Sequence, residues 1–159
     1  MIHESIINDY PELIEAIDFI HDPFLEFYDK NLSLVANLYY YSVRIEQRWT
    51  EAEPYIMKEP CYACYYARDV IEQRWSEAEP YIMLDVLWAY LYAHHVIHGR
   101  WIEAEPYIMK DPQYAYIYAY DVIHGRWVEA EPYIMKDPEC AHKYTYNIMG
   151  GLASTPNER

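Results

Sequence analysis

A repeat of 26 residues constrains the fold of this chain more than any other feature. Each copy opens on an Arg-Trp pair and continues as R-W-x-E-A-E-P-Y-I-M. The pairs are Arg48-Trp49, Arg74-Trp75, Arg100-Trp101 and Arg126-Trp127. A unit of this length cannot bury its own apolar face, so neighbouring units must stack. The repeat predicts an all-α fold, an α-solenoid of four helical hairpins at residues 48–73, 74–99, 100–125 and 126–151.

The second half of each unit is predicted to form the longer helix of the hairpin. In the third unit Asp111 suits the N-cap and Pro112 the first turn, whereas Gly125 suits the left-handed conformation that ends a helix. This pattern predicts a helix from about Pro112 to His124. The second unit has Leu84-Asp85-Val86 where the others approach Lys-Asp-Pro, so its turn between the helices is expected to differ.

The first half of each unit is predicted to form the shorter helix, whose start has two alternatives. Thr50 with Glu53, and Ser76 with Glu79, match a capping box. That register leaves Pro54 one turn inside the helix, where a hydrogen bond is lost. In the other alternative the helix starts at the proline itself.

Alignment of the copies separates a repeating core from a variable surface. Five positions of the longer helix recur with spacings of 3, 1, 3 and 1, which follow one face of an α-helix. These positions are Ala63/Ala89/Ala115/Ala141, Tyr66/Tyr92/Tyr118/Tyr144, Ala67/Ala93/Ala119/Thr145, Val70/Val96/Val122/Ile148 and Ile71/Ile97/Ile123/Met149. The recurring tyrosines of the shorter helix are also predicted to be structural; they are Tyr55, Tyr81, Tyr107 and Tyr133.

The segments outside the repeat are predicted to have different roles. Residues 1–47 are predicted to form a divergent helical cap continuous with the array, with a helix opening at Asn31-Leu32-Ser33 and running into Arg48. This cap carries a net charge of -7, half of the net charge of -14. Its acidic binding residues are predicted to be Glu4, Asp9, Glu12, Glu15, Asp18, Asp22, Glu26 and Asp29. Residues 152–159 are predicted to be a flexible tail.

The charge of the chain limits its partners. Its 26 acidic and 12 basic side chains disfavour binding to nucleic-acid phosphates or anionic lipid, since both require a basic face. A host protein with a basic surface is the expected partner. Met1 to Ile6 lack the basic start and apolar stretch of a signal peptide, so the protein is expected to be soluble and cytoplasmic.

Two clusters resemble metal or redox sites, yet the simpler interpretation is preferred for each. Cys61 and Cys64 form a C-x-x-C, but a zinc site would need a ligand beyond Cys140, and the βαβ context of redox motifs is missing. His94, His98 and His124 might converge in neighbouring units, without an H-E-x-x-H motif.

The remaining motifs do not predict catalysis. The recurring arginines and glutamates are too regular for a catalytic pair and suit joints between units. No nucleophile elbow or phosphate-binding loop is present in the sequence. We therefore expect no enzyme activity, no cofactor and no metal.

The positions that vary between copies predict the binding face, because a binding surface must differ along its length. They form a ladder of tyrosine and histidine, and tyrosine is favoured at interfaces. The predicted face comprises Arg68, Tyr90, His94, His98, Tyr116, Tyr120, His124, His142 and Tyr146. The leading hypothesis is a non-catalytic inhibitor or adaptor that binds a host protein, such as a nucleic-acid-binding or defence protein. The alternative is a small-molecule sponge that sequesters a nucleotide-like signal by stacking on the tyrosines.

The phrase G-R-W-x-E-A-E-P-Y-I-M-K-D-P, followed by an alanine- and tyrosine-rich helix, resembles short helical repeats of uncharacterised bacteriophage and bacterial proteins. The resemblance covers residues 48 to about 149. It implies an α-solenoid and agrees with a phage origin, with the host cytoplasm as the expected location. It implies no chemistry for individual residues.

Overall fold

The computed structural model describes residues 27–150, which contain helices and no strands. These residues belong to two compact units that divide between Ile82 and Met83. Both units contain four-residue helices, each of which precedes a longer one where the unit includes the complete pair. The prediction of an all-α protein with repeated helix pairs is confirmed for this part of the chain.

The first unit contains four helices. They are α1 (Leu34–Ile45), α2 (Glu53–Ile56), α3 (Pro60–Tyr66), which continues as a π-helical turn (Ala67–Ile71), and α4 (Glu79–Ile82). Ser33 caps α1 by accepting a hydrogen bond from the N–H of Ala36. The helix ends at Ile45, short of the predicted Arg48, because Glu46 adopts a left-handed conformation with a φ of 51°.

The second unit contains five helices. They are α5 (Val86–Tyr92) with a π-helical turn (Ala93–Ile97), α6 (Glu105–Ile108), α7 (Pro112–Tyr118) with a π-helical turn (Ala119–Ile123), α8 (Glu131–Ile134) and α9 (Pro138–Asn147). The longer helix of the third repeat therefore starts at Pro112 as predicted. Asp111 caps it by accepting from the N–H groups of Gln113 and Tyr114.

The longer helices end in a way that the sequence did not predict. His124, and not Gly125, is the left-handed residue, with a φ of 55°. The π-helical turn widens the last turn of the helix, so the reversal at His124 lets the Gly125 N–H donate to the carbonyl of Ala119 at 3.1 Å. The left-handed position recurs every 26 residues, at Glu46, Glu72, His98, His124 and Gly150.

Neither alternative for the shorter helix is fully correct, and no capping box forms at Thr50. In the first repeat the helix starts at Glu53, which places Pro54 in the first turn, and the N-cap Ala52 provides no side-chain bond. Thr50 instead donates to the exposed carboxylate of Glu51. Because the first-turn N–H groups have no partner within a helix, proline is tolerated there.

The turn before α5 was expected to differ from its counterparts, and this expectation was wrong. Asp85 accepts hydrogen bonds from the N–H groups of Leu87 and Trp88, as an N-cap does. The helix begins at Val86, the position equivalent to Pro112 in the next repeat. The acidic cap is sufficient to start this helix without proline.

The core of each unit follows the predicted face of the longer helices. Ala63, Tyr66 and Ala67 of the first unit have no exposed surface. The equivalent residues of the second unit, Ala89, Tyr92, Ala93, Ala115, Tyr118 and Ala119, are equally buried. The last helix departs from this pattern, since Thr145 is exposed whereas Tyr144 is buried.

The tyrosines of the shorter helices do not belong to the buried frame, so that prediction was wrong. Tyr81 and Tyr107 are 39% and 40% exposed. The isoleucine that follows each of them is fully buried instead, as for Ile82 and Ile108. Lys110 lies over the ring of Tyr107, with its Nζ 5.5 Å from the ring centre.

Candidate functional site

The Arg-Trp phrase builds a buried polar network in the second unit. The Trp101 N–H donates to the Tyr118 hydroxyl at 2.7 Å, and that hydroxyl lies 3.3 Å from Glu105 Oε1, to which it donates. Arg100 donates from Nε and Nη2 to the two oxygens of Glu105, both at 2.8 Å. Equivalent networks join Trp49, Tyr66, Glu53 and Arg48, and Trp127, Tyr144, Glu131 and Arg126.

This network explains why the arginines and glutamates recur without forming a site. Each arginine binds a carboxylate of its own repeat, and Arg74 binds Glu79 in the same geometry. Burial is the main cause that raises the pKa of Tyr66, to about 12. The hydrogen bonds from Arg126 lower the pKa of Glu131. These groups are held in one protonation state near neutral pH, which suits a structural role.

The same tyrosines determine the repeat length. The hydroxyl of Tyr118 contacts Trp101, and its ring lies 5.1 Å from the ring of Trp127, measured between centroids. Tyr118 therefore contacts two tryptophans that are 26 residues apart. Tyr92 packs against Trp101 in the same way, with centroids 4.9 Å apart.

Two tyrosines of the predicted face are engaged in bonds between neighbouring repeats. Tyr90 donates to Asp121 Oδ2 at 2.8 Å, and Tyr116 accepts from Asn147 Nδ2 at 2.8 Å. Burial and the bond to Asp121 raise the pKa of Tyr90. Both pairs span 31 residues, so these tyrosines have a structural role in addition to any recognition role.

Sequence reasoning missed Asp121 and Asn147, and the signal that would have found them is positional. Both belong to a column in the π-helical or last turn of each longer helix, together with Asp69 of the first unit. Asp69 accepts from Tyr39 at 2.6 Å, 30 residues earlier. A polar side chain recurring about one repeat and one helical turn after a tyrosine indicates such a bond.

Four residues of the predicted face line two cavities at the ends of the longer helices in the second unit. The first cavity, of about 260 Å³, is lined by His94, His98, Gly99, Asp121, Val122 and His124. The second, of about 380 Å³, is lined by Tyr120, Asp121, His124, Gly125, Asn147 and Ile148. We call the two together the helix-end groove, because they share Asp121 and His124.

The two cavities are one site repeated. His94, His98, Gly99, Asp121 and Val122 of the first cavity correspond, 26 residues later, to Tyr120, His124, Gly125, Asn147 and Ile148 of the second. The same backbone geometry therefore recurs with different side chains. Such variation within a fixed frame is typical of a surface that discriminates between ligands.

The other residues of the predicted face lie outside the helix-end groove. Tyr146 is 70% exposed, and His142 is also exposed on α9. Arg68 lies in the first unit, where it forms an ion pair with Asp69 and stacks on Tyr65 at 4.9 Å from the ring centre. Its bonds to Asp69 lower the pKa of that carboxyl group.

The histidines and cysteines offer little for metal or redox chemistry. His94, His98 and His124 line one cavity, yet no group of three or more His, Cys, Asp or Glu in residues 27–150 is arranged to hold a metal ion. Cys61 and Cys64 are free thiols. Burial raises the pKa of Cys64 to about 12, which disfavours the reactive thiolate.

The predicted acidic cap falls almost entirely outside the described residues. Glu4, Asp9, Glu12, Glu15, Asp18, Asp22 and Glu26 lie before residue 27. Asp29 is described, and its Oδ1 accepts hydrogen bonds from the N–H and side-chain amide of Asn31. Its backbone N–H donates to Asn37 Oδ1 at 2.8 Å, which ties this turn to α1.

These features define the class as an all-helical protein with repeated helix pairs and a helix-end groove in its second unit. Comparison with family models, curated proteins and solved structures finds no match to this chain. Within residues 27–150, no helix has both the length and the apolar character needed to cross a membrane.

Proposed function

We propose that this chain is a non-catalytic binding protein that recognises another protein through the helix-end groove and the exposed tyrosines beside it. The observation that carries the proposal is the repeated cavity, whose frame is constant and whose lining changes from one repeat to the next. Tyr120 and Tyr146 are 50% and 70% exposed. Exposed aromatic side chains next to a concave surface favour protein recognition.

The proposed architecture is an α-solenoid of four units over residues 48–151, preceded by an acidic cap. The recurring tyrosine–tryptophan contacts and tyrosine–acid bonds support it, because they recur at the repeat interval. An inhibitor or adaptor acting in a bacterial host cytoplasm, encoded by a phage, is the context that the repeat wording suggests.

A partner with a basic surface is proposed from the charge of the chain. The net charge of -14 attracts basic proteins at long range. In the array, each repeat arginine is already paired with a glutamate of its own repeat. The second acid of each phrase, exemplified by the exposed Glu103 and Glu129, contributes to this field.

The small-molecule sponge is less well supported. A nucleotide-like ligand needs cationic groups to meet its phosphates. Neither cavity of the helix-end groove is lined by Lys or Arg, and both contain Asp121. A clean absorbance spectrum at 260 nm of the purified protein would agree with this ranking.

Site-specific photo-crosslinking tests the proposed function. A photoreactive phenylalanine analogue replaces Tyr120 or Tyr146 in the full chain, and the same analogue at the exposed Glu103 serves as the control. In a bacterial lysate we expect a discrete crosslinked protein from positions 120 and 146 that is not obtained from position 103. Equal crosslinking at all three positions, or none, would contradict the proposal.

A further inference from the structure

The helix-end groove is electrostatically negative for two independent reasons. It is formed at the carboxyl ends of α5 and α7 with their π-helical turns, where helix carbonyls carry partial negative charge. Asp121 lines both of its cavities. A cation placed between the two helix ends is therefore favoured by both the backbone and a side chain.

Asp121 retains capacity to bind a second donor. Tyr90 donates to its Oδ2, whereas a carboxylate offers about four acceptor positions over its two oxygens. The Tyr90 bond also holds the carboxylate in place. A held carboxylate loses less entropy when a ligand binds than a freely rotating one does.

The neighbouring rings favour a planar cation over a compact one. His94 and His98 line the first cavity, and Tyr120 and His124 line the second. A guanidinium group stacks on aromatic faces and is less strongly hydrated than an ammonium group. Arginine therefore suits this lining better than lysine.

We propose that the helix-end groove binds two arginine side chains of a partner segment with the spacing R-x-x-R. This inference rests on the proposed protein-binding function and names the partner chemistry of the same site. The two cavities are related by one repeat, and neighbouring packed helices lie about 8–10 Å apart. In a polyproline II segment, residues i and i+3 point to the same side and lie about 9 Å apart. One arginine thus enters each cavity.

The test measures fluorescence anisotropy of the full chain with a labelled proline-rich peptide, GSPRPPRPSG. Three matched peptides replace both arginines by citrulline, replace both by lysine, or shorten the spacing to R-P-R. We expect the R-x-x-R peptide to bind about tenfold more tightly than the citrulline peptide, because citrulline has the same shape without the charge. The lysine and short-spacing peptides are expected to bind several-fold more weakly.

Matched variants locate the binding. Asp121→Asn keeps an acceptor for Tyr90 and removes the charge, whereas Glu103→Gln makes the same change of net charge outside the groove. We expect Asp121→Asn to weaken the R-x-x-R peptide several-fold and Glu103→Gln to leave it unchanged. Tyr120→Ser provides a second variant, at an exposed ring, with weaker binding expected.

The outcomes separate this inference from the function on which it rests. Equal loss with Asp121→Asn and Glu103→Gln would mean that only net charge matters, and would overturn the site. Equal binding of the citrulline peptide, or no binding of the R-x-x-R peptide, would also overturn it. If crosslinking at Tyr120 still captured a partner, the protein-binding function would stand without this partner chemistry; if it did not, both would fail.

Discussion

Single residues with a left-handed backbone mark the end of every longer helix. Four of the five are not glycine, namely Glu46, Glu72, His98 and His124. The conformation costs about 1–2 kcal/mol for residues with a Cβ, and glycine avoids this cost. The last repeat has Gly150 at the same position, with a φ of 75°. Most repeats therefore retain local strain at a position where the last one uses glycine.

Replacing His98 by glycine is expected to stabilise the protein. Relief of the left-handed backbone exceeds the entropy that glycine adds to the unfolded chain, so the expected net gain is about 0.5–1 kcal/mol. His142→Gly is the matched control, because His142 is exposed within α9 and glycine there costs about 1 kcal/mol. Chemical denaturation at pH 8 measures both changes. Destabilisation by both variants would contradict the strain argument.

Elements are joined through tyrosine hydroxyls that both accept and donate. Within the second unit, Tyr118 of α7 bonds to Trp101 before α6 and to Glu105 within it. Its ring also packs on Trp127, before α8. One side chain of a longer helix thus connects two shorter helices, which are too short to be stable alone.

Tyr118→Phe is expected to destabilise the protein by about 1–3 kcal/mol, since the buried Trp101 N–H loses its partner. Tyr120→Phe is the matched control, because Tyr120 is 50% exposed and its loss of a hydroxyl should cost little. Thermal unfolding followed by circular dichroism compares the two. Equal effects would show that the hydroxyl of Tyr118 has no special role.

The bond between α1 and the first π-helical turn is expected to depend on pH. Hydrogen bonds from Arg68 and Tyr39 lower the pKa of Asp69. A carboxyl group with a lowered pKa contributes stability above its unfolded pKa of about 3.9, and loses it as the pH falls through the folded value. Asp69→Asn should therefore destabilise the protein at pH 7, and the difference from the wild type should shrink near pH 3.

Glu77→Gln is the control for this pH dependence, because it removes the same charge from an exposed side chain in the same unit. Its effect on the free energy of unfolding should be small at both pH values. Urea denaturation at the two pH values provides the measurement. A difference between Asp69→Asn and the wild type that persists unchanged at pH 3 would refute the role of the ionised carboxylate.

For the whole molecule, the repeat interval is a mechanical requirement of the joints between repeats. Tyr92 meets Trp101, and Tyr118 meets Trp127, at the same sequence separation. The last helix ends this series with polar side chains, since it has Lys143 and Thr145 where the preceding helix has Ile117 and Ala119. A polar last helix disfavours the addition of a further repeat.

Deleting residues 100–125 is expected to leave a folded, less stable protein. The deletion joins Gly99 to Arg126 and keeps the interval, so Trp127 replaces Trp101 as the partner of Tyr92. Deleting residues 100–124 shifts every later residue by one position and serves as the control. We expect cooperative thermal unfolding for the first deletion and a lost or broad transition for the second. Similar behaviour of both would contradict the requirement for the interval.

Much of the fold was predictable because its signals are local. The recurring Ala63, Tyr66 and Ala67 predicted the buried face, and Asp111 with Pro112 predicted a helix start. The helix ends were less predictable, because the choice of His124 over Gly125 depends on a π-helical turn that propensity does not report. Similarly, Tyr107 recurs in every copy but lies near the surface, because recurrence alone does not distinguish burial from a contact with Lys110.

The sequence by itself determined the helical class, the interval and the residue types that vary along it. Only the tertiary structure decided which of the variable residues meet. It engaged Tyr90 with Asp121 and placed His98 and His124 around one cavity, across a distance of one repeat. The physical reason is that periodicity fixes which side of its own helix a residue occupies, whereas contacts between repeats depend on how neighbouring helices pack and end.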